Sequence, residues 1–145
     1  MPLSIDDLKD LDFGYLSGDD LIQYCSPQIL IKQYETDNGS LEAGCRMALA
    51  EIRCALINRY DVDTEYTKET TSREQELVKI ATLFAIRNIC GNLPGLPANL
   101  DNLIKKAEET LLRVQQRLAH FDMKVTSDAI VSDSAIIADS FNYLG

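Results

Sequence analysis

Apolar side chains recur at helical spacing in three long segments of this 145-residue chain. The first segment, from about residue 41 to 60, has an apolar stripe and a second apolar set beside it: Cys45, Leu49, Ile52 and Leu56, then Met47, Ala50, Cys54 and Ile57. A helix that is apolar over so much of its circumference is expected to be buried on more than one side. Gly44 is a weak point in its first turn, because glycine is a poor helix former.

The second segment is the most apolar and is predicted to be the central helix. The pairs Thr71/Glu74 and Ser72/Gln75 both have the spacing of a capping box, which predicts that this helix begins near residue 73. Gly91 can close the helix, and the prolines that follow it prevent its continuation.

The third segment is predicted to be a helix from an Asn99 cap to about Phe121. Its apolar residues are spaced alternately by four and three positions: Leu100, Ile104, Ala107, Leu111, Val114, Leu118 and Phe121. This spacing is typical of a helix-packing seam.

The first forty residues are predicted to form short helical pieces. Ser4 and Ser17 each precede acidic residues and can act as N-caps, and Ser26-Pro27 fits a third helix start. The segment 28–34 has either a helical or a short-strand pattern, and residues 37–40 form a turn. The fold class is therefore all-α: a small bundle of three longer helices with short N-terminal helices.

Residues 122–145 differ from the rest and are predicted to form an extended C-terminal arm on a helical domain of residues 1–121. The arm combines acidic residues with short apolar clusters, so it needs a surface to dock on, either on its own helices or on a neighbouring chain. The predicted protein-interface residues come from this arm and from the polar link at 61–72: Val62, Tyr66, Val125, Ile130, Val131, Ile136, Ile137, Phe141 and Tyr143.

The net charge of -9 argues against tight binding to nucleic acid, which depends largely on Lys and Arg contacts to phosphates. No run of 18 apolar residues predicts a membrane span, and the N-terminus lacks the pattern of a secretion signal. We therefore expect folding in a cytoplasm, with reduced cysteines.

The residues that can carry chemistry do not form a recognisable active site. Cys25, Cys45, Cys54 and Cys90 lack a Cys-x-x-Cys pair and are interpreted as buried structural thiols. The single histidine, His120, can in principle pair with a cysteine as a catalytic base, but its place near a helix end already explains it. The sequence predicts no enzyme, no cofactor and no metal site.

The order of these parts resembles small phage proteins of the Mu-type family that includes head–tail joining and connector (adaptor) proteins. The resemblance spans residues 6 to 120 and rests on three helical segments separated by polar links: Ala48–Tyr60, Leu77–Arg87 and Ile104–Leu111. In that family a helix ending in Arg-Tyr, here Arg59-Tyr60, leads into an extended link. The chain departs from the family pattern in lacking a proline soon after Tyr60 and a tryptophan in the last helix.

The resemblance implies a non-enzymatic structural protein of a phage or prophage virion, made in the bacterial cytoplasm. Copies of the chain would form a homo-oligomeric ring beneath the portal, contact tail-completion proteins and let DNA pass without gripping it. The alternative is a small cytoplasmic helical adaptor or regulatory protein that binds one partner through the Leu100–Phe121 seam.

Overall fold

Three long helices form the body of the fold: α4 (Ser40–Leu56), α6 (Gln75–Cys90) and α7 (Leu100–Gln115). The computed structural model describes residues 3–91, 96 and 98–125. The described residues confirm the all-α prediction of a small helical bundle. The arm interpretation of residues 126–145 lies outside them.

Helix α6 is central, as its composition predicts, and packs most extensively against α4. Gly44 on α4 is a close-approach position, since a Cβ there would lie 2.3 Å from Cγ1 of Ile89 and 3.3 Å from the carbonyl oxygen of Ala85. The prediction that Gly44 is a weak point of α4 is therefore corrected. The absent side chain lets the two helices come close together.

The wide apolar face predicted for α4 is only partly correct. Cys45, Ile52 and Leu56 are buried, whereas Met47, Ala50 and Cys54 are exposed. One flank of α4 therefore faces solvent, and α6 is the helix that is buried almost all round.

Helix α7 ends at Gln115, six residues earlier than predicted, and most of its seam is buried within its own chain. Arg117 has a φ of 62°, the N–H of Arg117 donates to Val114 at 3.0 Å, and the N–H of Leu118 donates to Arg113 at 2.8 Å. This is a Schellman ending with arginine where glycine is usual. Leu118 is consequently 64% exposed, so its place in the seam is corrected, while Phe121 turns back into the core.

The N-terminal forty residues contain three short helices and a small hairpin: α1 (Ile5–Lys9), β1 (Asp12–Phe13), β2 (Leu16–Ser17), α2 (Gly18–Ile22) and α3 (Pro27–Thr36). Ser4 caps α1 and Ser17 caps α2 through a capping box with Asp20, as predicted. The ambiguous segment 28–34 is helical. The antiparallel hairpin was not predicted, because each of its strands has only two residues.

The link between α4 and α6 is more ordered than its polar sequence indicates. It contains α5 (Val62–Tyr66) and a 3₁₀ turn at Thr70–Ser72. Neither predicted capping box forms, and the carboxylate of Glu74 caps α6 by accepting from the N–H groups of Glu76 and Leu77 at 3.2 and 2.8 Å. The N-cap of α6 is therefore the carboxylate of Glu74, and not a Thr or Ser hydroxyl as predicted.

Candidate functional site

Arg59 and Tyr60, at the end of the α4 segment, hold the part of the chain that follows α7. Tyr60 is 1% exposed, its hydroxyl accepts the N–H of Phe121 at 3.1 Å, and the two rings are 6.2 Å apart between centroids. The backbone N–H of Asp61 donates to the carbonyl of Lys124 at 2.7 Å, and Tyr60 forms a β-bridge with Val125. Residues 121–125 are thus fixed on the link before the chain continues into residue 126.

The guanidinium of Arg59 reinforces this attachment. It donates to the carbonyl of Val114 at 3.0 Å and to that of Ala119 at 3.4 Å, and it contacts Nδ1 of His120. Val114 lies in the last turn of α7, and its carbonyl accepts both the N–H of Arg117 and the guanidinium of Arg59. The Arg-Tyr pair therefore joins the end of α4 to the end of α7. We call Arg59, Tyr60 and their contacts at 114–125 the arm base.

His120 takes part in the arm base and contacts an arginine there. The sequence left open a pairing of His120 with a cysteine, and the contact to Arg59 places its Nδ1 against a cation instead. A histidine nitrogen facing a guanidinium is best used as a hydrogen-bond acceptor. His120 thus belongs to the contacts of the arm base.

A second polar cluster attaches the link to the N-terminal hairpin. Glu65 is 1% exposed, and its carboxylate accepts from the hydroxyl of Tyr15 and from the N–H of Glu74 at 2.9 Å. It also forms an ion pair with Nζ of Lys68 at 2.7 Å. Burial, followed by the hydrogen bond to Glu65, raises the pKa of Tyr15 well above its usual value. The phenol therefore stays protonated and remains a donor.

Arg73 completes this cluster with a bidentate pair to Asp20, at 2.6 and 3.0 Å. Its remaining donors reach the carbonyls of Tyr15 at 2.9 Å and Thr70 at 3.1 Å. The hydrogen bond to Asp20 is the main cause that raises the pKa of Arg73. Both side chains are largely buried, at 6% and 12% exposed. The donors and acceptors of this cluster face one another, so its role is to position the link.

The sequence did not reveal these clusters, although one signal was present. Ser17 was predicted to be an N-cap before acidic residues, and Asp20, one of these, forms the capping box of α2 with it. The second partner of Asp20, Arg73, lies 53 residues away, and no spacing rule connects them. In the sequence, nothing distinguished Arg73 and Glu65 from ordinary surface residues, although both are buried.

Three of the nine predicted interface residues lie in the described part of the chain. Val62 is fully buried and belongs to its own core, so it is corrected to a core residue. Tyr66 is half-buried, with its hydroxyl donating to the carbonyl of Leu49 at 2.7 Å and its ring 5.0 Å from that of Tyr15. Val125 is half-buried at the arm base. The other six residues lie outside the described residues: Ile130, Val131, Ile136, Ile137, Phe141 and Tyr143.

The interpretation of the cysteines as buried structural thiols holds for three of the four. Cys25, Cys45 and Cys90 are buried, whereas Cys54 is exposed on the solvent flank of α4. Burial raises the pKa of the Cys45 thiol to about 12. The thiol of Cys54 is therefore the most exposed of the four.

Among the described residues, exposed large apolar side chains are few and include Leu112 and Leu118, which flank the end of α7 at 50% and 64% exposure. None of the helices in the described ranges is long and apolar enough to span a membrane. Within residues 3–91, 96 and 98–125, no three His, Cys, Asp or Glu side chains are placed to hold a metal ion. Comparison with known proteins found no matching family model, curated protein or solved structure.

Proposed function

We propose that this chain is a non-enzymatic structural protein of a phage or prophage particle, a head–tail connector that forms a ring with its own copies. In this role it contacts the portal on one side and tail-completion proteins on the other. The protein is made in the bacterial cytoplasm and acts in the virion. The proposal starts from the resemblance in the order of helices and links over residues 6 to 120.

The observation that carries the proposal is the arm base. The resemblance includes the pair Arg59-Tyr60. Arg59 donates to the carbonyls of Val114 and Ala119 at 3.0 and 3.4 Å, and the hydroxyl of Tyr60 accepts the N–H of Phe121 at 3.1 Å. The N–H of Asp61, the next residue, donates to the carbonyl of Lys124 at 2.7 Å. A terminal segment that must reach a neighbouring copy needs a rigid point of departure, since a fixed origin restricts where its far end can lie. The arm base supplies such a point beside the ends of both α4 and α7.

The composition of residues 126–145 supports an intermolecular role for this segment. It contains apolar clusters but no basic residue, in a chain whose described residues already form a contiguous core from Leu8 to Met123. Such a segment gains stability by burying its apolar residues, and an acidic surround keeps it soluble before assembly. We assign this burial to a neighbouring copy in the ring.

The alternative of a cytoplasmic adaptor loses its predicted surface. That interpretation placed the partner on the Leu100–Phe121 seam, but Leu100, Leu111 and Val114 are at most 7% exposed. An occupied seam is not open to a second protein without unpacking α7. The connector proposal does not use the seam, and it is therefore preferred.

The decisive experiment compares the full chain with a chain that ends at Val125. Cutting there keeps Met123, which is 8% exposed, and the bridge between Tyr60 and Val125. We expect the shortened chain to keep its helical circular dichroism but to lose assembly on the portal ring of the same genome, measured by co-sedimentation. A matched control keeps the full length and charge, with Ile130, Val131, Ile136 and Ile137 replaced by serine, and it should fail in the same way.

Two results would contradict this proposal. Loss of helical signal in the shortened chain would show that residues 126–145 complete their own domain. Assembly that is unchanged in both variants would remove the segment from the interface. The position of the gene is an independent check, because a connector gene is expected between capsid and tail genes, and metabolic neighbours would count against it.

A further inference from the structure

Two buried cysteines from distant parts of the chain face each other. The sulfur atoms of Cys25 and Cys90 lie 4.0 Å apart, although the residues are separated by 65 positions. Cys25 lies between α2 and α3, and Cys90 is the last residue of α6. Their side chains are 3% and 5% exposed. The pair thus connects the N-terminal segment to the end of the central helix.

We propose that Cys25 and Cys90 are a redox modification site that forms an intramolecular disulfide when the protein meets hydrogen peroxide. A disulfide needs sulfur atoms about 2 Å apart, so the pair must close by roughly 2 Å. Both residues lie at the boundary of a helix, where a side-chain rotation and a small backbone shift can supply that movement. Neither is held in the interior of an element.

The oxidant has a route to the pair. Cys25 lines a surface cavity of about 450 Å³, together with Tyr24, Pro27 and Leu100 among others. Hydrogen peroxide is of similar size to water, which such a volume admits readily. The other two cysteines differ, since Cys45 is fully buried on α4 and Cys54 is exposed on its opposite flank.

The geometry also orders the chemical steps. Either thiol can be the donor in the contact between the two sulfur atoms, and this contact is the largest cause that lowers the pKa of Cys90 and raises that of Cys25. Cys25 lines the cavity and is therefore the sulfur that peroxide reaches: it gives up its proton and attacks one peroxide oxygen, the O–O bond breaks, and the released hydroxide takes that proton to become water. Cys25 is then a sulfenic acid, with Cys90 as its neighbour.

The second step closes the disulfide. The sulfur of Cys90, whose pKa is lowered, loses its proton and attacks the sulfur of Cys25, expelling hydroxide, which that proton converts to a second water. In sum, two thiols lose two hydrogens and two electrons, and one peroxide is reduced to two waters. No further reagent is needed.

The expected consequence is a more stable protein. A disulfide across 65 positions restricts the unfolded chain, and a link of this span is expected to raise the melting temperature by on the order of 10 °C. It would tie the segment before α3 to the end of α6. This inference does not depend on the connector proposal, because it rests only on Cys25, Cys90 and the cavity.

The experiment uses the full chain with Cys54→Ala, which removes the exposed thiol and prevents disulfides between molecules. The protein is treated with hydrogen peroxide, quenched, unfolded and alkylated. We expect one alkylated thiol, Cys45, out of the three that remain, with a mass loss of about 2 Da and a Cys25–Cys90 cross-linked peptide in a non-reducing digest. The melting temperature should rise, and dithiothreitol should reverse both changes.

A matched variant adds Cys25→Ser to the same background and should show neither the cross-link nor the rise. Should that variant fail to fold, the dithiothreitol reversal on the parent still decides the matter. The inference is overturned if all three thiols remain alkylatable after peroxide. It is equally overturned if Cys25 or Cys90 gains oxygen without a cross-link.

Discussion

The end of α7 provides the sharpest test of the fold, through the pair of variants Arg117→Gly and Arg117→Ala. The φ of 62° at Arg117 is in the left-handed region, which costs a residue with a Cβ about 1–2 kcal/mol and costs glycine almost nothing. Glycine also lowers the free energy of unfolding by about 0.5–1 kcal/mol relative to alanine, because its unfolded chain has more conformational freedom. The net expectation is that the glycine variant is more stable than the alanine variant by about 1 kcal/mol.

The comparison is between the two variants, because both remove the same arginine side chain and every interaction that it makes. The opposite order is expected if position 117 lies inside a helix, where alanine is favoured over glycine by about 1 kcal/mol. The exposed Glu109 in the middle of α7 supplies that internal standard. Glu109→Ala should therefore be more stable than Glu109→Gly, in the reverse of the order at position 117.

The free energy of unfolding of all four variants is measured by urea denaturation followed by far-ultraviolet circular dichroism, since the chain has no tryptophan for fluorescence. The difference at position 117 corresponds to a shift in melting temperature of about 3 °C. If Arg117→Ala is as stable as Arg117→Gly while the Glu109 pair keeps its normal order, the Schellman ending is wrong. The helix would then continue towards Phe121, as the sequence pattern alone predicts.

The remaining predictions concern the buried ion pair and the thiols. Arg73→Met should lower the free energy of unfolding by about 3 kcal/mol, since it leaves Asp20 buried without its partner. The matched variant Arg53→Met breaks the exposed pair with Asp63 and should leave the free energy of unfolding nearly unchanged in urea titrations, and equal effects of the two variants would contradict the burial argument. At pH 8 the native, reduced protein should show one fast-reacting thiol toward Ellman's reagent, at Cys54, because the Cys45 pKa of about 12 keeps that thiol protonated. Cys54→Ser should abolish the fast phase, and a fast phase that persists would disagree with the burial of the other three.

The helical body could be predicted from sequence because its signals are local. The apolar periodicity of α6, the N-caps Ser4 and Ser17, and the stop at Gly91 each act within a few residues. Periodicity nevertheless overextended α7 to Phe121, because Leu118 fits the spacing although the backbone has already turned at Arg117. The spacing of apolar residues does not indicate where the backbone between two of them leaves the helix.

The arm base could be anticipated in part. The resemblance drew attention to Arg59-Tyr60 as a pair, but no local pattern indicates that Arg59 contacts Val114 or that Tyr60 contacts Phe121. Those contacts join residues about 60 positions apart, and they exist only after α4 and α7 have packed. The same reason hid the Cys25–Cys90 pair, whose separation matches no metal or redox spacing.

The sequence by itself determined the helical class of this protein, the first residue of each long helix to within two positions, and its acidic charge. These follow from interactions between near neighbours in the chain and from the sum of its charges. Only the tertiary structure decided that Gly44 is a contact point, that Val62 belongs to the core, that Cys54 is exposed and that Arg59-Tyr60 contacts the last turn of α7 and Phe121. Each of these depends on which distant surface a residue meets, and packing between elements settles that choice after local structure has formed.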